Sequence, residues 1–445
     1  MLASSLIVGG GLGMTSAMAA DGPGTAGATA KLLPGLKFSG QIKIGDRPAI
    51  DGGLFKLLPA GEQDEKKALL AYCIDLMNPT QPDAEYNETD WKSSSLAGKP
   101  EAAAKIKWIL LNSFPTKSVD DLKKASGIAD LDENEAAAGT QAAIWSFSDG
   151  ADAKPVKEDA AALTKYLKDK VADVKQGEEP KASLSLEPAS VAGKSGEQLG
   201  PITVKSNSDS VNLALDEAGK KAGVVLTDKD GKPVTTAKNG DQFFAKTPAG
   251  AEAGSAKVTA STEAELSVGR AFVGEKNGKH SQTLILAGTK PVKTNAVGKV
   301  SWAPTGPIPA VTAKVDCVQN AVVVTATNKG DQEWKFELSG KTVTVKPGET
   351  QTIPVKVAED AKYDFTITGP FKFSERFQGI LNCKTDSSTA SPTAPAPSAS
   401  PTGPQLATTG GGAGTGLMAG IAGALVLAGG GAVFALRRRG RHSGA

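Results

Sequence analysis

The side chains with the most distinctive chemistry in this sequence are three cysteines, Cys73, Cys317 and Cys383. Cys317 and Cys383 lie at the two ends of one strand-rich segment, so a disulfide between them would enclose that segment and leave Cys73 over. An odd cysteine outside the cell indicates pairing with another molecule or a reactive sulfur. The alternative is a buried, inert thiol, because Cys73 lies in the apolar strand-like run from Leu69 to Asp75.

A second unusual side chain is Gln141, which lies within a segment of helical periodicity, Asn134 to Phe147. Asp132 and Glu135 predict a capping box at the start of this helix. Residues three and four apart share one face of a helix, so Gln141 lies on an apolar stripe between small alanines and the large ring of Trp145. The small residues would let another backbone approach closely. The alternative is a buried glutamine whose amide is satisfied by the backbone.

Two short motifs contain these residues, Tyr72-Cys73-Ile74-Asp75 and Thr140-Gln141-Ala142-Ala143-Ile144-Trp145. Together and in this order they resemble the paired motifs of bacterial thioester domains, which occur on Gram-positive surface proteins. The second motif is close to the family pattern TQ-x-A-I-W. The resemblance covers about residues 31–178. It implies that the Cys73 sulfur is joined to the Gln141 side-chain carbonyl in an internal thioester, with Tyr72 and Trp145 shielding the bond from water.

A thioester of this kind would react with amines. A thioester carbonyl is a better electrophile than an amide, and a thiol with a pKa of about 8.5 gives a good leaving group. Attack by a lysine amine on the Gln141 carbonyl would release Cys73 and leave a stable amide. Exposed lysine has a pKa of about 10.4, so a docked, desolvated lysine should react faster than a random amine. The resemblance thus implies a single-use covalent adhesin for an amine-bearing surface or host protein, and not a turnover enzyme.

The competing functional classes are a conventional enzyme and a passive stalk or coat protein. The only histidines are His280 and His442, so no Ser-His-Asp or Cys-His machinery is visible. No Cys or His cluster has metal-ligand spacing, and no Gly-rich phosphate loop follows a strand, so neither a metal nor a cofactor is expected. The 50 basic and 48 acidic residues give a net charge of +2, which implies no affinity for nucleic acid. In the passive alternative, Cys73 and Gln141 are unlinked.

The predicted fold class is α+β with several domains. Residues 31–178 start with strand-like runs and continue with helical periodicity, which predicts a mixed α/β domain. Residues 180–306 and 307–385 alternate apolar and polar residues between turn signals, which predicts two all-β, Ig-like sandwich domains. The Cys317–Cys383 disulfide would lie in the second of these.

Both ends of the sequence predict export and anchoring. Residues 1–20 have the apolar run and small residues of a signal peptide. Residues 387–405 form a Pro/Ser/Thr-rich linker, and residues 417–436 are apolar and long enough to cross a hydrocarbon core of about 30 Å as a helix. The basic tail, residues 437–445, would stay in the cytoplasm by the positive-inside rule.

Between the linker and the predicted membrane helix lies the sequence Leu-Ala-Thr-Thr-Gly, residues 406–410. It resembles the LA-x-TG signal of sortase substrates in high-GC Gram-positive bacteria. The resemblance implies that sortase cuts between Thr409 and Gly410 and joins Thr409 to peptidoglycan. The alternative is a permanent membrane anchor. Either way the sequence predicts an extracellular ectodomain held at a cell surface.

Overall fold

The structure, a computed structural model, describes residues 26–288 and 290–383. Within these two ranges no helix has both the length and the apolar character needed to cross a membrane. Several predicted segments lie outside the described residues: the signal peptide (1–20), linker (387–405), sortase signal (406–410), membrane helix (417–436) and tail (437–445).

The N-terminal region, up to residue 178, combines six strands with the longest helices of the described chain. Its strands are β1 (Ala26–Gly27), β2 (Thr29–Ile44), β3 (Ile50–Pro59), β4 (Leu69–Cys73), β5 (Glu85–Thr89) and β6 (Ala153–Pro155). Its helices are α1 (Pro100–Asn112), α2 (Val119–Ser126), α3 (Glu133–Ser148) and α4 (Glu158–Lys170), with 3-10 turns at Glu65–Lys67 and Trp91–Ser93.

The middle region, residues 184–303, is almost entirely β. Its elements are β7 (Leu184–Glu187), β8 (Ser190–Lys194), β9 (Gln198–Ser206), β10 (Val211–Leu215), α5 (Glu217–Lys221), β11 (Val225–Thr227), β12 (Thr236–Ala237), β13 (Gln242–Lys246), β14 (Gly254–Glu265), β15 (Ala271–Lys276), β16 (Lys279–Leu286) and β17 (Pro291–Ala303). One sheet has the order β1-β17-β14-β10-β12 with β8 added beside β17, and a second has the order β11-β13-β9-β7. Side chains from both sheets form one apolar core.

The main sheet of the N-terminal region draws two strands from the middle region. Its order is β3-β4-β16-β15-β5-β2-β6, and a further pairing between β3 and β2 closes six of these strands into a ring. The hairpin β15–β16 falls inside the segment 180–306 that the sequence assigned to a separate sandwich, and β1 joins the sheet of the middle region instead. The sequence-based assignment to a separate sandwich is therefore wrong for β15 and β16. Alternating polarity identifies a strand but not its partner.

Helix α3 lies against this ring and is buried around nearly its whole circumference. It contacts β2, β3 and β4 on the sheet side and α1 and α4 on the other. Its start is the predicted capping box: the Asp132 carboxylate accepts from the Glu135 N–H at 2.7 Å, and the Glu135 carboxylate accepts from the Asp132 N–H at 3.1 Å. Gly139 allows the close contact with α4, because a Cβ there would lie 2.6 Å from the Ala160 carbonyl oxygen. The small residues thus serve the close backbone approach that the sequence predicts.

The C-terminal described region, residues 309–383, is a second all-β unit. Its strands are β18 (Pro309–Asp316), β19 (Ala321–Asn328), β20 (Trp334–Leu338), β21 (Lys341–Val345), β22 (Thr350–Lys356), β23 (Lys362–Thr368) and β24 (Ser374–Ile380). They pair as β18-β19-β22, β20-β21 and β23-β24 around a core that contains Trp334 stacked on Phe336. Cys317 and Cys383 form the predicted disulfide, with their Cα atoms 5.0 Å apart. The chain is therefore a multidomain, β-rich protein, and the Ig-like class of its two β regions stays a prediction.

The C-terminal region contacts the N-terminal region at the 3-10 turn Trp91–Ser93. The Cys317 N–H donates to the Lys92 carbonyl at 3.2 Å, and the Ser93 hydroxyl donates to the Val315 carbonyl at 2.8 Å. The Lys92 ammonium also pairs with Asp316 at 2.9 Å. These contacts connect the region that contains the disulfide to the region that contains Cys73.

Candidate functional site

The structure brings Cys73 and Gln141 into direct contact although they are far apart in the sequence. Cys73 is the last residue of β4 and Gln141 lies in the middle of α3. The Cys73 N–H donates to Gln141 Oε1 at 2.9 Å, and Gln141 Nε2 donates to the Cys73 carbonyl at 2.9 Å. Both side chains are fully buried. The glutamine amide is therefore fixed against the backbone of the one free cysteine in the described residues.

The neighbours of Gln141 hold α3 rigidly at this point. The Thr140 hydroxyl donates to the Ala136 carbonyl at 2.7 Å and lies 2.7 Å from the Ser113 hydroxyl, which immediately follows α1. On the far side the Thr164 hydroxyl of α4 donates to the Gly139 carbonyl at 3.0 Å. Contacts with Ser113 and with α4 thus hold the backbone of α3 in place beside Gln141.

The Cys73 sulfur is buried and lies near two carboxyl groups. Burial raises the pKa of its thiol well above the ordinary value, and the nearby carboxyl groups of Asp149 and Asp75 raise it further. The Asp75 N–H donates to the sulfur at 3.2 Å, which favours the thiolate by a smaller amount. An unlinked Cys73 is therefore a neutral thiol near pH 7. The pKa of about 8.5 that a free thiol has in water therefore does not apply to Cys73.

The two predicted shielding residues lie on different sides of β4. Trp145 packs in the same apolar cluster as Cys73 and is 3% exposed, so its ring lies on the sulfur side of β4. Tyr72 lies in the opposite cluster, and its hydroxyl donates to the Phe114 carbonyl at 2.8 Å. Successive residues of a strand point to opposite faces, so Tyr72 and Cys73 cannot share one. Tyr72 thus connects β4 to the segment after α1, and the shielding role predicted for Trp145 stays a prediction.

The indole N–H of Trp145 is an unusual feature of the site. Although buried, it makes no hydrogen bond with any part of the chain that the structure describes. It is nevertheless close enough to the Cys73 sulfur to favour the thiolate. A buried donor without a partner costs about 1–3 kcal/mol, so such groups are rare and often functional. This donor is available to charge that develops beside the sulfur.

Asp75, two residues after Cys73, is a buried carboxylate that sequence reasoning did not identify. Its oxygens accept from the Asn78 side chain at 2.8 Å and the Thr283 N–H at 3.2 Å. His280 Nε2 lies 3.1 Å from the same carboxylate, and the Asn382 side chain contacts that histidine from the C-terminal region. This network joins the loop after β4 to the hairpin β15–β16. The scarcity of histidine was the available signal, since His280 is one of only two in the sequence.

Asp149, at the C-terminal end of α3, is the second carboxylate that sequence reasoning missed. It accepts from the Leu76 N–H at 2.9 Å and from the Ser148 hydroxyl at 2.6 Å. Burial raises the pKa of Asp149 to about 7, with Asp75 adding to the rise, while Ser148, Leu76 and Lys99 oppose it. In the sequence Asp149 precedes a glycine at a helix end, a pattern usual for an exposed turn. Only the tertiary packing makes it unusual.

Comparisons with known proteins identify part of this region. Residues 70–173 match the family model for thioester domains, and residues 309–380 match the model for the C-terminal domain of bacterial phospholipase C. Comparison with curated proteins gave no match. Among solved structures, the TIE protein of Bacillus anthracis is 13% identical, with 81% of each chain covered and a TM-score of 0.27. The thioester domain of the Enterococcus faecium TIE86 protein is 16% identical, covering 62% of this chain and 97% of that chain, with a TM-score of 0.29.

The chain therefore contains a thioester domain, as its two short motifs predict. The matched residues include the end of β4 with Cys73 and all of α3 with Gln141. This assignment rests on the family match, since the backbone overlap with the two solved structures is small.

Proposed function

We propose that this chain is an exported, cell-surface adhesin in which Cys73 and Gln141 form an internal thioester that captures an amine of a partner. The observation that carries the proposal is the reciprocal pair of hydrogen bonds between the Gln141 amide and the Cys73 backbone. This arrangement holds the Gln141 amide against Cys73, whose sulfur would replace the amide nitrogen in a thioester. The match of residues 70–173 to the thioester-domain family supports the same chemistry.

The two steps balance without a cofactor or metal. In the first, the Cys73 sulfur bonds to Gln141 Cδ, the C–N bond breaks, and the nitrogen leaves as ammonia with the thiol proton. In the second, a partner amine bonds to the same carbon, the C–S bond breaks, and the Cys73 thiol is regenerated. The product amide is stable, so each molecule reacts once and is not a turnover enzyme. Complete burial of both side chains supports survival of the bond in water before a partner arrives.

The partner in this proposal is a lysine-bearing protein on a host or neighbouring surface. Presentation at the cell surface would follow from the predicted signal peptide, from sortase acting at Thr409 and Gly410, and from attachment to peptidoglycan, with the membrane helix holding the precursor. The passive stalk remains the second candidate, and it differs in one respect: its Cys73 and Gln141 never react.

Challenge with an amine tests the proposal. Freshly purified protein incubated with methylamine should gain one amine at Gln141 and expose one new thiol at Cys73, as peptide mapping would show. Cys73→Ala and Gln141→Ala should each abolish the adduct. Gln141→Ala should also destabilise the fold, because each buried backbone group left unpaired at Cys73 costs about 1–3 kcal/mol. Wild type that takes up no amine, with Cys73 already open to alkylation after mild unfolding, would leave the passive stalk.

Anchoring is tested separately by replacing Thr409 or Gly410 with alanine. Each variant should be exported normally but move from the cell-wall fraction to the membrane fraction. Variants that still co-purify with peptidoglycan to the wild-type extent would show that residues 406–410 are not a sortase signal.

A further inference from the structure

A recess in the surface lies where α3 ends, beside the proposed thioester. Its volume is about 430 Å³, and its lining includes Asp149, Ala151, Leu76, Met77 and the turn after β2. Asp149 is partly exposed there, although most of its carboxyl group is buried. The recess is therefore a place where solvent or a ligand can reach a carboxylate that belongs to the buried site.

Asp149 is connected to the reacting residues along two routes. On α3, the residues Gln141, Trp145 and Asp149 are four apart, so they form one stripe of the helix. On the other side, Asp149 accepts the N–H of Leu76, which lies three residues after Cys73. The Asp149 charge also acts on the Cys73 sulfur. Asp149 therefore lines the recess and is close enough to the sulfur for its charge to raise the pKa of the Cys73 thiol.

Capture of a lysine at this site requires two proton transfers. A lysine side chain arrives as an ammonium ion, which has no lone pair to attack a carbonyl. Cys73 must leave from an environment that strongly disfavours its thiolate, so a proton must reach the sulfur as the C–S bond breaks. A single acid–base group could meet both needs if it takes a proton from the lysine ammonium in the recess and then gives it to the Cys73 sulfur.

We propose that the recess admits the ammonium group of a lysine side chain and that Asp149 is the acid–base residue for its capture. This inference rests on the thioester proposed above. Asp149 takes one proton from the ammonium, and the free amine bonds to Gln141 Cδ. The C–S bond breaks, its electron pair goes to sulfur, and the sulfur takes the proton held by Asp149. The second proton of the new nitrogen passes to the regenerated carboxylate and then to water in the recess.

The charges around the recess fit a cationic ligand. Asp46, Asp149 and Asp152 line it together with Arg47, whose guanidinium contacts the Met77 sulfur at 3.5 Å. Lys154, which is not part of the lining, pairs with Asp152 at 2.8 Å. Lys99 lies on the inner side, donating to the Ser148 carbonyl at 2.8 Å. The groups that shift the pKa of Asp149 are thus Ser148, Leu76, Asp75 and Lys99, and the other charged residues that line the recess are Asp46, Arg47 and Asp152.

The first arm of the test uses Asp149→Asn in the full-length secreted protein. The asparagine keeps a side-chain oxygen for the Leu76 N–H, so the variant should fold and should lose one ammonia as wild type does. Its reaction with a lysine peptide with blocked termini should be about 10²-fold slower, as expected for loss of a general acid–base group. Asp149→Glu should restore part of the rate. The matched control is Asp169→Asn, at an exposed carboxylate in the last turn of α4, which should react like wild type.

The second arm measures the ratio of wild-type to Asp149→Asn rates across pH, which cancels the ionisation of the amine. Proton transfer from the ammonium makes the reactive complex a free amine beside a protonated Asp149, whereas the variant needs only the free amine. The ratio should therefore fall as the pH rises through about 7. A ratio independent of pH would contradict the acid–base role.

The third arm fills the recess with Ala151→Phe. This variant should slow the lysine peptide by about tenfold or more relative to methylamine, because only the larger amine needs the recess. An Asp149→Asn protein that is loaded and reacts at the wild-type rate would overturn the proposal. If Asp149→Asn forms no thioester, the Ala151→Phe variant provides the test. Equal slowing of the lysine peptide and methylamine in that variant would overturn the proposal. A wild type that has lost no ammonia would instead overturn the proposed function, and this inference with it.

Discussion

The molecule holds sulfur in two regions whose surroundings differ sharply. Cys317 and Cys383 are joined to each other in a small apolar cluster with Leu381, and the Cys383 N–H donates to the Glu359 carboxylate at 2.6 Å. Cys73 is a single thiol that faces an amide, two carboxyl groups and an unpartnered indole N–H in the described residues. The first arrangement suits a permanent covalent restraint. The second suits a bond that is made in order to be broken by a partner.

The largest effect expected from this comparison comes from removing each sulfur site in turn. Cys73→Ala should abolish amine capture and leave the C-terminal region unchanged. The double variant Cys317→Ala, Cys383→Ala should still capture amine but should unfold more easily. The closed loop spans 66 residues, so its loss should cost about 4 kcal/mol by loop-closure entropy. Denaturant unfolding and an amine-adduct assay on both proteins check this. Loss of capture in the double variant would show that the two sites are not independent.

A smaller effect is expected from disturbing the cover over Cys73. A Cβ at Gly52 would lie 2.9 Å from the Trp145 ring and 2.5 Å from Ile42 Cδ1, so Gly52→Ala must move one of these side chains. Overpacking of this kind costs about 1–3 kcal/mol. Displacing Trp145 should also admit water and speed hydrolysis of the thioester, measured as faster appearance of a free Cys73 thiol. Gly288→Ala is the matched control, since its Cβ would meet only Pro115 at 3.7 Å. Equal thiol release in the two variants would argue against a shielding role for Trp145.

A further effect expected at the Cys73 region is a pH dependence of stability that belongs to Asp149. Its folded-state pKa of about 7 is above the ordinary value of 3.8, so the folded protein binds the proton more tightly. The stability from this group is therefore fully present below about pH 4 and is lost as the pH rises through about 7. The unfolding free energy of wild type should fall over this window relative to Asp149→Asn, as thermal unfolding at several pH values would show. Parallel curves for the two proteins would contradict the raised pKa.

The sequence predicted the two residues that the structure brings into contact, but not their surroundings. The two motifs predict the Cys73–Gln141 pair, and helical periodicity with Asp132 and Glu135 predicts α3 and its capping box. These features are local, so short-range rules recover them. The alternation of side chains along β4 also predicts that Tyr72 lies on the face opposite Cys73. The shielding role predicted for Tyr72 rests only on its position next to Cys73 in the motif.

What the sequence could not provide depends on long-range pairing. The hairpin β15–β16 has the same alternating pattern as its neighbours, and nothing local says that it pairs with β4 and β5. His280 reaches Asp75 only through that pairing. Asp149 has the sequence context of an exposed turn, and it becomes part of the site only because Leu76 packs over the end of α3. Burial of a charged residue is a property of the fold and leaves no periodic signal.

The most direct test of the central claim is the intact mass of the freshly purified, secreted ectodomain, measured without prior exposure to amines. The thioester predicts a mass one ammonia below that expected from the mature sequence with its single disulfide, and a Cys73 that resists thiol reagents. Cys73→Ala should show no such deficit. An undiminished wild-type mass, with Cys73 recovered as a free thiol on unfolding, would contradict the thioester and the capture mechanism built on it.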